Sequence, residues 1–172
     1  KNGSTPTKGE IFKNPQLAKT LQLIADNGRA GFYEGEVAHT MANFIQAEGG
    51  LLTYEDLFSF HAEWTPPVSS NYRGYDVWEL PPNGQGIAAL QILNILEEFD
   101  LSKMGLFSSE YIHLFTEAKK IAFADRAKYY ADPRFSEIPV QELISKDYAR
   151  ARAKNINFTK AAISDEAGVL KN

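Results

Sequence analysis

Between Glu79 and Leu96 the chain reads "ELPPNGQGIAALQILNIL", a glycine-bearing turn set between a strand-like apolar run and a helix-like one. A strand, a Gly-rich turn and a helix start together expose backbone N–H groups to a phosphate or to a developing oxyanion. Asn83, Gly84, Gln85 and Gly86 are therefore the first candidates for chemistry. The spacing argues against phosphate. A dinucleotide fingerprint needs three glycines at set intervals, and only Gly84 and Gly86 stand here, behind two prolines. No Lys-Ser or Lys-Thr pair follows, which excludes a phosphate loop of the Walker kind. The structural alternative is that Pro81 and Pro82 stop the strand, Asn83 caps the helix and the glycines permit close helix-on-sheet packing. The residues by themselves favour that alternative.

The second constellation is Asp125 and Arg126 in "AFADRA". Helical spacing from Leu114, Ala118 and Ile121 swings Asp125 toward a buried stripe, where a carboxylate must find a basic group or backbone N–H donors. Structural pairing is the favoured reading over catalysis. His39, His61 and His113 are isolated, without a second histidine or an acid at metal-ligand spacing, and read as structural or surface residues. No serine sits in a G-x-S-x-G elbow, and cysteine is absent. Glu97 and Glu98, followed by Asp100, read as a solvated face. The residues call for no metal and no cofactor.

The elements that must carry these residues follow from capping and periodicity. Asn14-Pro15 starts a helix with Leu17, Leu21 and Ile24 on its apolar face, ended by Gly28 and Gly31. A second helix from Gly35 places Val37, Met41, Phe44 and Ile45 on one side, and "TYED" at Thr53 to Asp56 caps a short third one. From Ala62 the pattern alternates through Tyr75, Val77 and Trp78, predicting a strand or hairpin with its turn at Ser69 to Asn71. Ile87 to Leu96 is helical. Ser108 or Ser109 caps a longer helix reaching about Tyr130, with Tyr111, Leu114, Phe115, Ala118, Ile121, Ala122 and Tyr129 as its buried stripe. A short segment at Val140 to Ile144, a helix capped by Ser145 and a polar tail complete the chain. Two strands are too few for a stable sheet, so they must pack on the helices or join strands supplied by other polypeptide, and the second option is preferred.

With 172 residues, 18 basic and 22 acidic, the sequence describes one globular segment with a single core and mildly negative charge. Lys1 to Glu10 reads as a linker or boundary. The longest basic run is Lys119-Lys120, which argues against nucleic acid as a partner, and no apolar run approaches the roughly 20 residues of a membrane span.

Four phrases, "GEIFKNPQLAKTLQLIADNG", "FYEGEVAHTMANFIQAEGGLLTYEDL", "EWTPPVSSNYRGYDVWELPPNGQGIAALQILNILEEFDL" and "AKKIAFADRAKYYADPRF", resemble the gamma-glutamyltranspeptidase family, in the later part of its large subunit. The resemblance runs from about Gly9 to about Arg152. Many members carry a Ser-Gly-Gly type turn after Pro-Pro, and "PPNGQG" looks more like the acylase-like branch. The resemblance implies a helix-rich α+β segment of an N-terminal nucleophile hydrolase, an αββα sandwich completed by polypeptide outside this chain. It implies a precursor that cleaves itself once, exposing a Thr whose own amine activates its hydroxyl against a gamma-glutamyl or related amide.

That Thr, the oxyanion glycines and the Arg that holds the substrate carboxylate match no position here, so no catalytic residue is carried over and the chain alone is expected to be inactive. The implied partners are the rest of the large subunit and the small subunit of the same precursor. Self-association of the isolated segment is expected. The alternative is a non-catalytic binding or assembly module derived from the same family. Export to the periplasm or medium is common in the family, and the acylase-like branch also admits a cytoplasmic location.

Overall fold

The structure is a computed structural model describing residues 5–170, so the first four residues of the expected linker lie outside it. The chain divides into two compact units, Lys1–Glu63 and Trp64–Asn172. Where one core is expected, the first unit has its own apolar cluster and the second has two.

In the first unit α1 (Pro15–Asn27) opens with the Asn14 Oδ1 accepting from the Leu17 N–H at 3.0 Å and closes with the Gly28 N–H donating to the Ile24 carbonyl at 2.7 Å. A single turn, α2 (Ala30–Tyr33), leads into α3 (Gly35–Ala47), and α4 (Tyr54–Ser59) follows. The Thr53 hydroxyl and the Asp56 carboxylate cap α4 reciprocally. The core here is small: Ala38, Ala42 and Leu57, with Met41, Leu52 and Tyr54 against them. The inner line of α3 runs through its alanines because small side chains let α4 approach. Phe44, expected inside, is 67% exposed, and Leu17 and Leu21 of α1 remain half exposed.

The second unit begins with the antiparallel hairpin β1 (Val68–Tyr72) and β2 (Tyr75–Glu79). Its turn is Arg73-Gly74, both at positive φ (51° and 91°), rather than Ser69 to Asn71, which lie within β1. Two positive φ angles give the tight turn whose twist matches the flanking strands. Asn71 supports it, accepting from the Gly74 N–H at 3.0 Å and donating to Asp76 at 2.9 Å. Ser70 pairs with Val77, so Val68 and Val77 share a face, and both pack against the cluster around Ile87 and Leu90 of α5 (Gly86–Glu97).

Helices α6 (Ser109–Tyr129), α7 (Val140–Leu143) and α8 (Lys146–Ala153) complete the unit, with the Ser108 and Ser145 hydroxyls capping α6 and α8. Leu114, Ala118 and Ile121 of α6 meet Ile95 and Leu96 of α5 and Ala149 and Ala153 of α8. Phe115, expected in the α6 stripe, is 41% exposed, while Glu117 and Asp125 are buried in it. A helix this rich in charge buries its two acids only because other chain segments meet them.

Candidate functional site

Asn83, Gly84 and Gln85 are exposed, and α5 is capped at Gln85 by backbone alone, so Asn83 does not cap it as expected. The physical reason is register: the helix begins at Gly86, which puts Asn83 outside capping reach. The two glycines differ. A Cβ on Gly86 would lie 2.7 Å from both Glu79 Oε2 and the Leu80 carbonyl, whereas one on Gly84 would meet open space. Gly86 is thus the close-packing residue between β2 and α5.

Asp125 is the centre of a buried polar cluster. It has no exposed surface, and α6 positions it one helical turn beyond Ile121 on the stripe facing α5 and α8. Its Oδ1 accepts from the Gly168 N–H at 2.8 Å and lies 3.2 Å from Arg152 Nη2; its Oδ2 accepts from Gln91 Nε2 at 3.0 Å. The Tyr130 hydroxyl donates to Gln91 Oε1 at 2.5 Å, which fixes the amide so that its nitrogen faces the carboxylate. Burial first, and then the negative charge of Asp125, push the Tyr130 and Tyr148 phenols well above their usual range, so both stay protonated.

Arg126 does not join the cluster. It is exposed, with its guanidinium 5.5 Å from the Phe123 ring centre, and Arg152 supplies the positive charge instead. The carboxylate is enclosed by three donors and shut off from solvent, and both of its oxygens are engaged. The cluster organises the fold: Asp125 joins α5, α6, α8 and the segment after α8.

A second cluster clamps the hairpin. Lys146 Nζ donates to Asn94 Oδ1 at 2.6 Å, to Glu97 Oε2 at 2.5 Å and to the Asn71 carbonyl. Asn94 also accepts from the Ser70 hydroxyl at 2.7 Å and donates to the Ile144 carbonyl at 2.7 Å, and Glu97 accepts from the Arg73 N–H at 2.8 Å. The Lys146 bond chiefly holds the Glu97 carboxyl below its usual range, with burial opposing and the Arg73 N–H assisting. Glu97 is therefore a working partner of Lys146 rather than part of a solvated face.

His39 stacks on Tyr54 with ring centres 3.9 Å apart, and His113 Nε2 lies 2.8 Å from the Asn157 carbonyl. Among the described residues no three His, Asp or Glu side chains gather as a metal site, and no helix is long and apolar enough to cross a membrane. Gln91, Tyr130, Arg152 and Gly168 were not singled out by sequence pattern. Only Gln91 carried a signal, as a polar residue inside the apolar run of α5.

Comparison with known proteins places this geometry. The family described as Gamma-glutamyltranspeptidase matches residues 1–170. The glutathione hydrolase proenzyme of Escherichia coli (strain K12) is 43% identical over 167 residues, 96% of this chain and 29% of that protein. The gamma-glutamyltranspeptidase structure from Helicobacter pylori superposes with a TM-score of 0.72 at 38% identity, over 93% of this chain and 46% of that one. The cephalosporin acylase structure from Bacillus halodurans gives 0.73 at 40% identity, over 91% of this chain and 29% of that one. This chain spans about three-tenths of the length of the curated relatives it matches. A helix-rich α+β fold shared with solved members, together with a family match along almost its whole length, means that the chain belongs to the gamma-glutamyltranspeptidase family.

Proposed function

We propose that this chain is the scaffold portion of an enzyme that hydrolyses or transfers gamma-glutamyl or related acyl amides through an N-terminal Thr on polypeptide outside these 172 residues. The observation that carries the reading is the use of the buried charges. Asp125, Arg152 and Glu117 are buried, and each holds a neighbouring chain segment. Amide cleavage by the Thr route needs a nucleophile, its activating amine and oriented oxyanion donors. A chain whose buried ionisable groups are committed to holding backbone suits the supporting role.

The hairpin supports the same reading. Val68 and Val77 cover one face with α5, while Trp78, on the other face, is 60% exposed. Strands from the rest of the precursor would extend this sheet into the αββα sandwich, with the large-subunit remainder and the small subunit as partners.

The test compares the full-length precursor with the 172-residue chain on a chromogenic gamma-glutamyl anilide and a glutaryl amide, with and without an acceptor amino acid. Turnover is expected from the precursor after self-cleavage and not from the chain alone. Turnover by the chain alone that a substitution within it abolishes would overturn the scaffold assignment, and an uncleaved, inactive precursor would point to a non-catalytic module.

A further inference from the structure

The segment after α8 has no helix or strand of its own, yet it runs along α6 from end to end. Asn157 meets His113, Ala162 meets Glu117 and Lys120, and Gly168 meets Asp125 and Tyr129. From residue 113 to residue 129 α6 rises about 24 Å, and eleven residues can span about 36 Å when fully extended. The segment therefore runs in the same direction as the helix at about two-thirds of its full reach, starting from a turn in which Asn157 accepts from the Thr159 and Lys160 N–H groups.

Its fastening is polar. At the first clip Glu117 Oε2 accepts from the Ala162 N–H at 3.1 Å while Lys120 Nζ donates to the Ala162 carbonyl at 2.7 Å. At the second, Asp125 accepts from the Gly168 N–H, the Tyr129 hydroxyl donates to the Gly168 carbonyl at 2.5 Å, and Arg152 donates to the Glu166 carbonyl at 2.7 Å. Apolar contact is confined to the two ends: Ile163 and Val169 are 95% and 89% exposed, while Phe158 stands edge-on to Phe99 with ring centres 5.4 Å apart and Ile156 and Leu170 reach the core clusters. Closure also leaves the Tyr148 hydroxyl, Arg152 Nε and Asp165 Oδ2 buried without a hydrogen-bond partner among the described residues. Burying unpaired polar atoms is unfavourable, and water relieves it once the strap lifts. A segment fastened this way belongs to the low-stability end of a fold.

We propose that residues 157–170 form a latch that opens and closes over α6 and α8 as one unit, with the Glu117 and Asp125 clips coupled through the short segment they share. Five residues lie between Ala162 and Gly168, and among the described residues the one hydrogen bond that fastens them is the Arg152 bond to the Glu166 carbonyl, so no independent anchor holds one clip in place when the other lets go. Freeing one end lets the segment leave its line, and the other clip then lacks the oriented N–H it needs. Opening uncovers Asp125, Arg152 and Tyr148 to solvent without disturbing the α5–α6 contact.

The experiment is amide hydrogen exchange on the full-length protein with Glu117→Gln and, separately, Gly168→Ala, whose added Cβ would meet the Tyr148 hydroxyl at 2.2 Å. Glu117→Gln is expected to speed exchange at the remote Gly168 amide about tenfold or more, Gly168→Ala to do the same at Ala162, and the α5 amides from Leu90 to Leu96 to stay unchanged. Faster exchange confined to the altered clip would show two independent fastenings and overturn the latch. A matching rise in α5 would show general unfolding and overturn it as well. If Gly168→Ala does not fold, the Glu117→Gln arm decides alone.

Discussion

At the residue scale the decisive group is Asp125, whose two oxygens serve Gln91, Arg152 and Gly168 at once. Removing one member of a buried, hydrogen-bonded ion pair strands the other charge, which costs about 3–5 kcal/mol. Asp125→Ala and Arg152→Met should each lose stability of that order in urea unfolding, and the double variant should lose less than the sum, since neither charge is then left alone. Gly86→Ala should cost about 1–3 kcal/mol through its clash with Glu79 and the Leu80 carbonyl. Gly84→Ala, with open space around it, should stay within about 0.5 kcal/mol of the parent. Equal effects at the two glycines would remove Gly86 as the packing residue of the turn.

At the element scale the hairpin is held to α5 and α8 by Lys146, Glu97 and Asn94 as much as by Val68 and Val77. Its contribution depends on pH with a definite sign. The folded Glu97 carboxyl titrates below its unfolded value, so its contribution is complete above the unfolded value of about 4.3 and is lost as pH falls through the lower folded value. The Arg73 amide, which donates to Glu97, should report this as an NMR signal that shifts with acid at a lower pH than the ordinary Glu range of about 4.3 would give. Glu97→Gln should flatten that response. In the first unit the capping box at the start of α4 is local, and Thr53→Ala should cost about 1 kcal/mol in thermal unfolding.

At the scale of the whole molecule, the surfaces that remain apolar bear on its assembly. Leu17 and Leu21 on α1, Trp78 on β2 and Phe107 before α6 are each more than half exposed. Uncovered strand edges and apolar side chains of this kind promote association. The 172-residue chain should therefore sediment as a concentration-dependent mixture, and co-production with the polypeptide proposed to complete its sheet should convert it to a single species. A monodisperse chain at high concentration would argue that these faces need no cover.

What was legible in the sequence was local. Asn14, Thr53, Ser108 and Ser145 cap the helices they precede, because a cap is a contact across two or three residues and its chemistry is written beside it. The inward direction of Asp125 was legible for a similar reason, since a 3.6-residue period projects from Leu114 through Ile121. The hairpin turn was misplaced to Ser69–Asn71 because turn composition alone does not see strand register, and the pairing of Val77 with Ser70 moves the turn to Arg73-Gly74. Cap position failed at Asn83 for want of the helix's first residue. The partners of Asp125 lie 27, 34 and 43 residues away, at Arg152, Gln91 and Gly168. No periodicity spans such distances: only the packing of α6 against α5 and α8 brings those groups together, and only then does a polar tail become a strap.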